Sequence, residues 1–222
     1  MSQRADERDI PKLRERAYDA FTERLLARVI RPGQFVSQRE LVELTGLPLG
    51  AIRELIPRLE AEGLIRTVPQ RGMQVAHIDL HLIRDAYQFR LFLEKEAVAL
   101  FAVDADAALL ASLRAGHEAI VARARQGITP ALLAEAQAVD WGLHDTIIDA
   151  LGNEIISNAY RVNSIKIRLI REERIRILDT LLLSVMEEHL RILDACEARD
   201  PAAAVAAVEA HIASSRARAV GI

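Results

Sequence analysis

Asp140 and His144 lie four residues apart in AVDWGLHDTI (138–147), a segment otherwise dominated by apolar residues. On a helix that spacing stacks both side chains on one face, the face such a segment needs for packing. Taken alone, the pair reads more readily as a hydrogen-bonded couple than as half of a metal site. Two further histidines change the balance. His189 stands in VMEEHLRILDAC and His211 in AAVEAHIASS, and the turn between these segments, ARDPA, centres on Asp200. Both histidines are equidistant from that centre. At about 1.5 Å of rise per residue each sits roughly 16 Å from the turn, so antiparallel helices bring them to the same height. Val185, Ile192 and Leu193 on one segment, with Val208 and Ile212 on the other, put both in apolar surroundings. Three imidazoles and a carboxylate converging in an apolar interior need a shared partner to offset their desolvation. A divalent transition metal is such a partner. Imidazole suits zinc, nickel, copper or iron, and the carboxylate admits manganese. Zinc, nickel and manganese are the foremost expectations, with Asp140, His144, His189 and His211 as ligands. His77 and His81, and His117 with no acidic or histidine neighbour at metal-like spacing, read as structural or surface residues.

The elements that must carry these ligands are helical. From residue 79 onward the periodicity predicts helices over 79–103, 105–126, 130–151, 153–177, 179–199 and 201–219. Thr129–Pro130 and Asp200–Pro201 each set a capping residue before a proline at the first helical position. The second half is therefore expected to be an antiparallel helical bundle. The first half has a different rhythm. Leu13, Ala17, Phe21, Leu25 and Val29 mark one face of a helix over 12–30. SQRE (37–40) fits a capping box, and Gly46 suits a left-handed C-terminal cap. A third helix over 48–62 ends at Gly63, and short strands at 64–68 and 73–75 flank the turn PQRG. Helix, helix, tight turn, helix and hairpin outline a winged helix-turn-helix, whose third helix enters the DNA major groove. The alternative at this point is a small α+β domain with no nucleic-acid role. The fold expected is mainly α, an N-terminal winged helix-turn-helix (1–77) followed by a C-terminal all-helical bundle (78–222).

Composition excludes more than it selects. The chain is 51% hydrophobic and 27% charged, which suits a globular protein rather than a disordered one. Its net charge of −3 announces no global field for nucleic acid. No apolar run is long enough to span a bilayer, and the first thirty residues carry too many charges for a signal peptide. One cysteine rules out an internal disulfide. A cytoplasmic protein with no membrane partner is expected.

These segments together resemble the GntR family of bacterial transcription regulators, in its FadR branch with an FCD ligand-binding domain. The resemblance rests on IRPGQFVSQRELVELTGL, IRELIPRLEAEGLI and VPQRGMQV in the first half. In the second half it rests on RDAYQFRLFLEKEAVALFA, VDWGLHDTIIDALGN and EEHLRILDACEARDPAAAVAAVEAHI. The Asp-x-x-x-His element with two later histidines looks like the family's metal tetrad and maps onto Asp140, His144, His189 and His211. The resemblance implies a homodimer on a pseudo-palindromic double-stranded operator, usually repressing, with a small carboxylate effector bound close to the metal. Arg90 matches a position where the family often has an arginine facing the cavity, and a guanidinium suits a carboxylate. Pairing with Glu94, one turn on, is its other reading.

The DNA side departs from the family pattern. Where members carry a Ser-Arg-Thr-Pro-Val-Arg run, this chain has Pro48, Leu49, Gly50, Ala51, Ile52 and Arg53. Leu49 cannot make the bidentate guanine contact open to an arginine, although it can touch a thymine methyl. Pro57 lies deep in the expected recognition helix, and a kink is expected there. Arg39, Arg53 and Arg58 remain for phosphates or base edges, with Arg66 near the wing and Arg71–Gly72 at its tip. Two other functions stay open. A metal-dependent hydrolase would use a metal-bound water, but no residue claims the role of general base, Glu188 being expected to point about 100° away from His189. A structural zinc protein would use the ion only to hold the bundle.

Overall fold

A computed structural model describes residues 3–174 and 179–221. The chain divides into two compact units, one up to Leu82 and one from Ile83 onward. In the first unit, α1 (Gln3–Leu26) buries Ala17, Tyr18, Phe21 and Leu25 along one face. The predicted face extends one turn too far. The helix ends at Leu26, so Val29 falls in the following turn and is 47% exposed, while Ile30 takes the buried position. After β1 (Phe35–Val36), Ser37 caps α2 (Gln38–Thr45) through a complete capping box. Its side chain accepts from the Glu40 N–H, and the Glu40 carboxylate accepts from the Ser37 N–H at 2.7 Å. Gly46, left-handed at φ 70, closes the helix.

The next helix, α3 (Leu49–Ala61), buries Ala51, Ile52, Leu55 and Leu59. It runs on past Pro57 to Ala61, so the proline does not end it. Pro57 is exposed, and the Arg53 carbonyl that loses its amide donor there can turn to water. Two strands follow, β2 (Ile65–Val68) and β3 (Gly72–Val75), and the sheet order is β1-β3-β2, all antiparallel. Strand β1 carries too few residues to show an alternation, which is why periodicity misses it. Its pairing sets a steric condition on the wing. Gly72 has φ +89, and a Cβ there would stand 3.0 Å from the Val36 carbonyl oxygen.

The second unit is built on α4 (Leu80–Asp104), α5 (Ala107–Ala124), α6 (Pro130–Asp149), α7 (Glu154–Arg174), α8 (Asp179–Glu197) and α9 (Pro201–Val220). The helix expected over 153–177 is described to Arg174, and its last predicted residues lie outside the described ones. Asp106, Thr129 and Asp200 cap α5, α6 and α9 by accepting backbone N–H groups, the last two with proline in the first turn. Ile120, Val121, Leu132, Ala136, Val185 and Met186 form a common apolar core for α5, α6 and α8. Val208 and Ile212 of α9 are buried, as are Ile192 and Leu193 of α8, and the two helices pack on each other. Among the described residues no helix is long and apolar enough to cross a membrane.

Candidate functional site

The symmetric spacing about Asp200 has the expected consequence. His189 on α8 and His211 on α9 are buried and face each other, with their Nε2 atoms 3.4 Å apart. His144 of α6 joins them, and one ligand atom from each of the three imidazoles lies within 4.8 Å of the others. Asp140, one turn before His144, sets its Oδ1 3.7 Å from Nε2 of both His144 and His189. That Oδ1 is buried and has no hydrogen-bond partner, while Oδ2 accepts from Arg171 of α7 at 2.5 Å. All four predicted ligands are thus in one place, each at most 2% exposed.

Partners on the outer side of each ring decide where its proton sits. His144 Nδ1 is 2.8 Å from Glu94 Oε2, and His211 Nδ1 is 2.8 Å from Glu188 Oε2. A carboxylate only accepts, so both Nδ1 atoms carry the proton and both Nε2 lone pairs face inward. His189 meets an imidazole instead: its Nδ1 lies 3.1 Å from His117 Nε2, and His117 Nδ1 lies 2.8 Å from the Leu113 carbonyl. The carbonyl accepts, so His117 is protonated on Nδ1, its Nε2 accepts, and His189 donates from Nδ1. Three Nε2 lone pairs and one orphaned carboxylate oxygen therefore converge, and Arg90 Nη2 turns an N–H toward two of them, 2.7 Å from His144 Nε2 and 3.4 Å from His211 Nε2. The Arg90 guanidinium leaves Asp140 Oδ1 without a donor, and the N and O atoms of the set fit a divalent transition metal.

The charges around the ring are matched in pairs. Arg90 of α4 donates from Nε to Glu94 Oε1 at 2.6 Å, and Tyr160 donates to the same oxygen at 2.6 Å. Arg218 donates to both oxygens of Glu188, each at 3.1 Å. Burial alone would raise the Glu94 and Asp140 carboxyls. Arg90 and His144 instead hold Glu94 well below the usual range, and Arg171 with His189 does the same for Asp140. Burial pushes His189 far below its ordinary value and His211 down to about 4, against the hydrogen bond to Glu188.

These imidazoles set an acid limit. A histidine whose folded pKa is depressed takes its proton first in the unfolded chain, so stability is lost as pH falls from about 6.5 toward the folded value. For His211 the folded value is about 4, and at pH 5 it alone costs ~2 kcal/mol. His189 and His117 act with the same sign. In a chelator, thermal unfolding followed by the emission of the sole tryptophan, Trp141, should come at least ~4 °C lower at pH 5 than at pH 7.5. Equal midpoints would mean that the unfolded chain gains no extra protons in that window.

Several predicted roles shift. Arg90 pairs with Glu94, and its Nη2 also donates to His144 Nε2 at 2.7 Å, leaving the buried Nη1 without a partner. His117 is not a surface residue; α5 holds it 1% exposed against His189. Glu188 does point away from His189, but onto His211. Glu94 was legible as the residue one turn after Arg90. His117, Tyr160, Arg171 and Arg218 carried no local signal.

In the first unit Arg39 is exposed and pairs with Glu43, and Arg53 is exposed with Nε 3.4 Å from Gln38 Oε1. Arg71, at the turn before Gly72, lies 4.2 Å over the Phe35 ring, and Arg66 donates to Gln74. Arg58 departs from the expectation of a DNA contact. It donates to Glu15 and Glu62 and lies 3.7 Å over the Tyr18 ring, tying α3 back onto α1. Leu49 is 40% exposed at the start of α3, and a Cβ on Gly50 would meet nothing within 4 Å. Lack of space is therefore not what keeps a polar side chain from that first turn.

The FCD domain family matches residues 85–214, and the family of bacterial regulatory proteins named gntR matches residues 13–75. An HTH-type transcriptional regulator in the TAR-I ttuE-ttuC' intergenic region of Agrobacterium vitis is 27% identical over 135 residues, covering 60% of this chain and 77% of that relative. Among solved structures, E. coli McbR/YncC has a TM-score of 0.75 at 18% identity, covering 94% of this chain and 97% of its own. The metal-free FCD domain of TM0439 has a TM-score of 0.55 at 18% identity, covering 65% of this chain and 96% of its own. At such identities these structures speak for the fold.

Proposed function

This chain belongs to the gntR family of bacterial regulatory proteins and carries an FCD domain, and on that premise we propose a ligand-responsive repressor. Residues 1–77 read a pseudo-palindromic operator as a homodimer, with Arg39, Arg53, Arg71 and Gly72 at the DNA. Residues 78–222 sense a small carboxylate beside a divalent transition metal, zinc, nickel or manganese, held by Asp140, His144, His189 and His211. The observation that carries this reading is the ring of inward lone pairs around an orphaned Asp140 oxygen.

The matched charges favour an anionic effector. Glu94, Glu188 and Asp140 are each bonded by an arginine, so a divalent ion would bring two positive charges that the protein leaves uncompensated. In a low-dielectric interior that excess favours an anion strongly. Bound there, the ion would supply an electrophilic site for a carboxylate oxygen. Arg90, with a buried N–H that lacks an acceptor, is the residue for the other oxygen. Effector binding then shifts the population of operator-competent dimers. Full burial of the ligands favours a second reading, a metal that only staples the bundle.

Selection from random duplex DNA with the metal-loaded protein tests the DNA half. An inverted repeat should emerge, with half-sites spaced by about one helical turn. No enrichment at modest salt would remove sequence-specific regulation from the account. A panel of small carboxylates separates sensor from staple, since only a sensor loses affinity for the selected DNA when one of them binds.

A further inference from the structure

Three ligand imidazoles need three outer partners, and the partners differ in kind. His144 and His211 donate from Nδ1 to carboxylates, each of which is also bonded by an arginine. His189 donates to a neutral ring. His117 lies edge-on to it, with centroids 5.2 Å apart and planes at 72°, so the in-plane lone pair of His117 Nε2 can meet the His189 Nδ1–H. His117 is itself oriented by its own helix, through the carbonyl of Leu113 one turn earlier. Both rings are buried, His189 at 0% and His117 at 1% exposure. Neither finds a substitute acceptor in water.

We propose that His117 is a positioning residue for the metal centre: by accepting the His189 Nδ1 proton it keeps the His189 Nε2 lone pair pointed at the ion. The inference rests on the metal reading given above. The order of events runs outward from the backbone. The Leu113 carbonyl holds the proton on His117 Nδ1, that proton leaves His117 Nε2 as an acceptor, and the acceptor holds the next proton on His189 Nδ1. Without His117 the buried His189 Nδ1–H has no partner. Moving the proton to Nε2 then becomes the cheaper state, because Asp140 Oδ1 stands 3.7 Å from that nitrogen. An Nε2–H ring cannot ligate through Nε2. A carboxylate at position 117 would also hold the His189 tautomer, but it would add a negative charge to a cluster whose Glu94, Asp140 and Glu188 are already each bonded by an arginine. The neutral acceptor keeps the ring of charges matched.

The test uses the full-length protein and Zn²⁺ or Ni²⁺ in competition with a chromophoric chelator. His117→Phe keeps an aromatic ring in the core and removes the acceptor, and should weaken binding by about 10–100-fold, the usual cost of losing a ligand's outer partner. His117→Gln, whose amide oxygen can accept, should recover part of that loss. Imidazole ¹⁵N spectra of the wild-type protein in chelator should show His189 as the Nδ1–H tautomer, and those of His117→Phe as Nε2–H. Wild-type affinity in His117→Phe, or an Nε2–H ring for His189 in the wild type, overturns the proposal. The spectra of the wild type decide the matter even where His117→Phe fails to fold. His189→Ala separates the two layers. If it binds metal as the wild type does, the metal reading itself fails; if it loses metal while His117→Phe does not, only the positioning role fails.

Discussion

On the proposed metal reading, replacing His189 with alanine should abolish tight binding of a divalent metal, with an affinity loss exceeding the ~100-fold upper figure for an outer partner. His189 is the ring that ties the others together. Its Nε2 is 3.4 Å from His211 Nε2 and 3.7 Å from Asp140 Oδ1, so its loss leaves a donor set open on one side. The measurement is metal content after gel filtration, followed by chelator competition. Two linked readouts follow. Wild-type protein should be stabilised by added metal in proportion to the logarithm of its concentration, and the variant should not. Ni²⁺ should quench Trp141, which adjoins Asp140, in the wild type only. A variant that keeps one metal per chain through gel filtration would remove His189 from the site.

Arg90→Met should destabilise the second unit by about 3–5 kcal/mol, the cost of leaving a buried carboxylate without its cation. Glu94 is 0% exposed and bonded to Arg90, His144 and Tyr160. Only Arg90 among them brings a full compensating charge. Urea unfolding followed by Trp141 would read the loss, because the single tryptophan lies in that unit. The double variant Arg90→Met with Glu94→Gln removes both charges and should regain most of the stability. It would then bind carboxylates poorly if Arg90 holds the effector as proposed. A loss below ~1 kcal/mol for Arg90→Met alone would mean that Glu94 is neutral in the folded protein, contrary to the strong depression assigned to its carboxyl.

Much of the molecule was legible one segment at a time. The helices of the bundle announce themselves by periodicity and by capping pairs such as Thr129–Pro130 and Asp200–Pro201, whose effects reach only a few residues along the chain. Asp140 and His144 share a face because a helix places residues four apart together. His189 and His211 meet because equal arms about one tight turn return to equal heights. These are consequences of local geometry, and a sequence carries local geometry directly.

What surrounds the ligands obeys no such rule. His117, Tyr160, Arg171 and Arg218 reach the centre from α5, α7 and α9, at sequence separations set by how the helices pack and not by any repeat. Arg58 is a candidate DNA contact by sequence because it is an arginine on the third helix. Only the packing of α3 on α1 turns it toward Glu15, Glu62 and Tyr18. Strand β1 exists because β3 is beside it, its own two residues being too few to specify a strand. By itself the sequence determined which residues could ligate a metal and which helices carry them. The tertiary structure decided which nitrogen of each histidine is free to do so, because a ring's tautomer is set by the acceptor that packing brings to its other side.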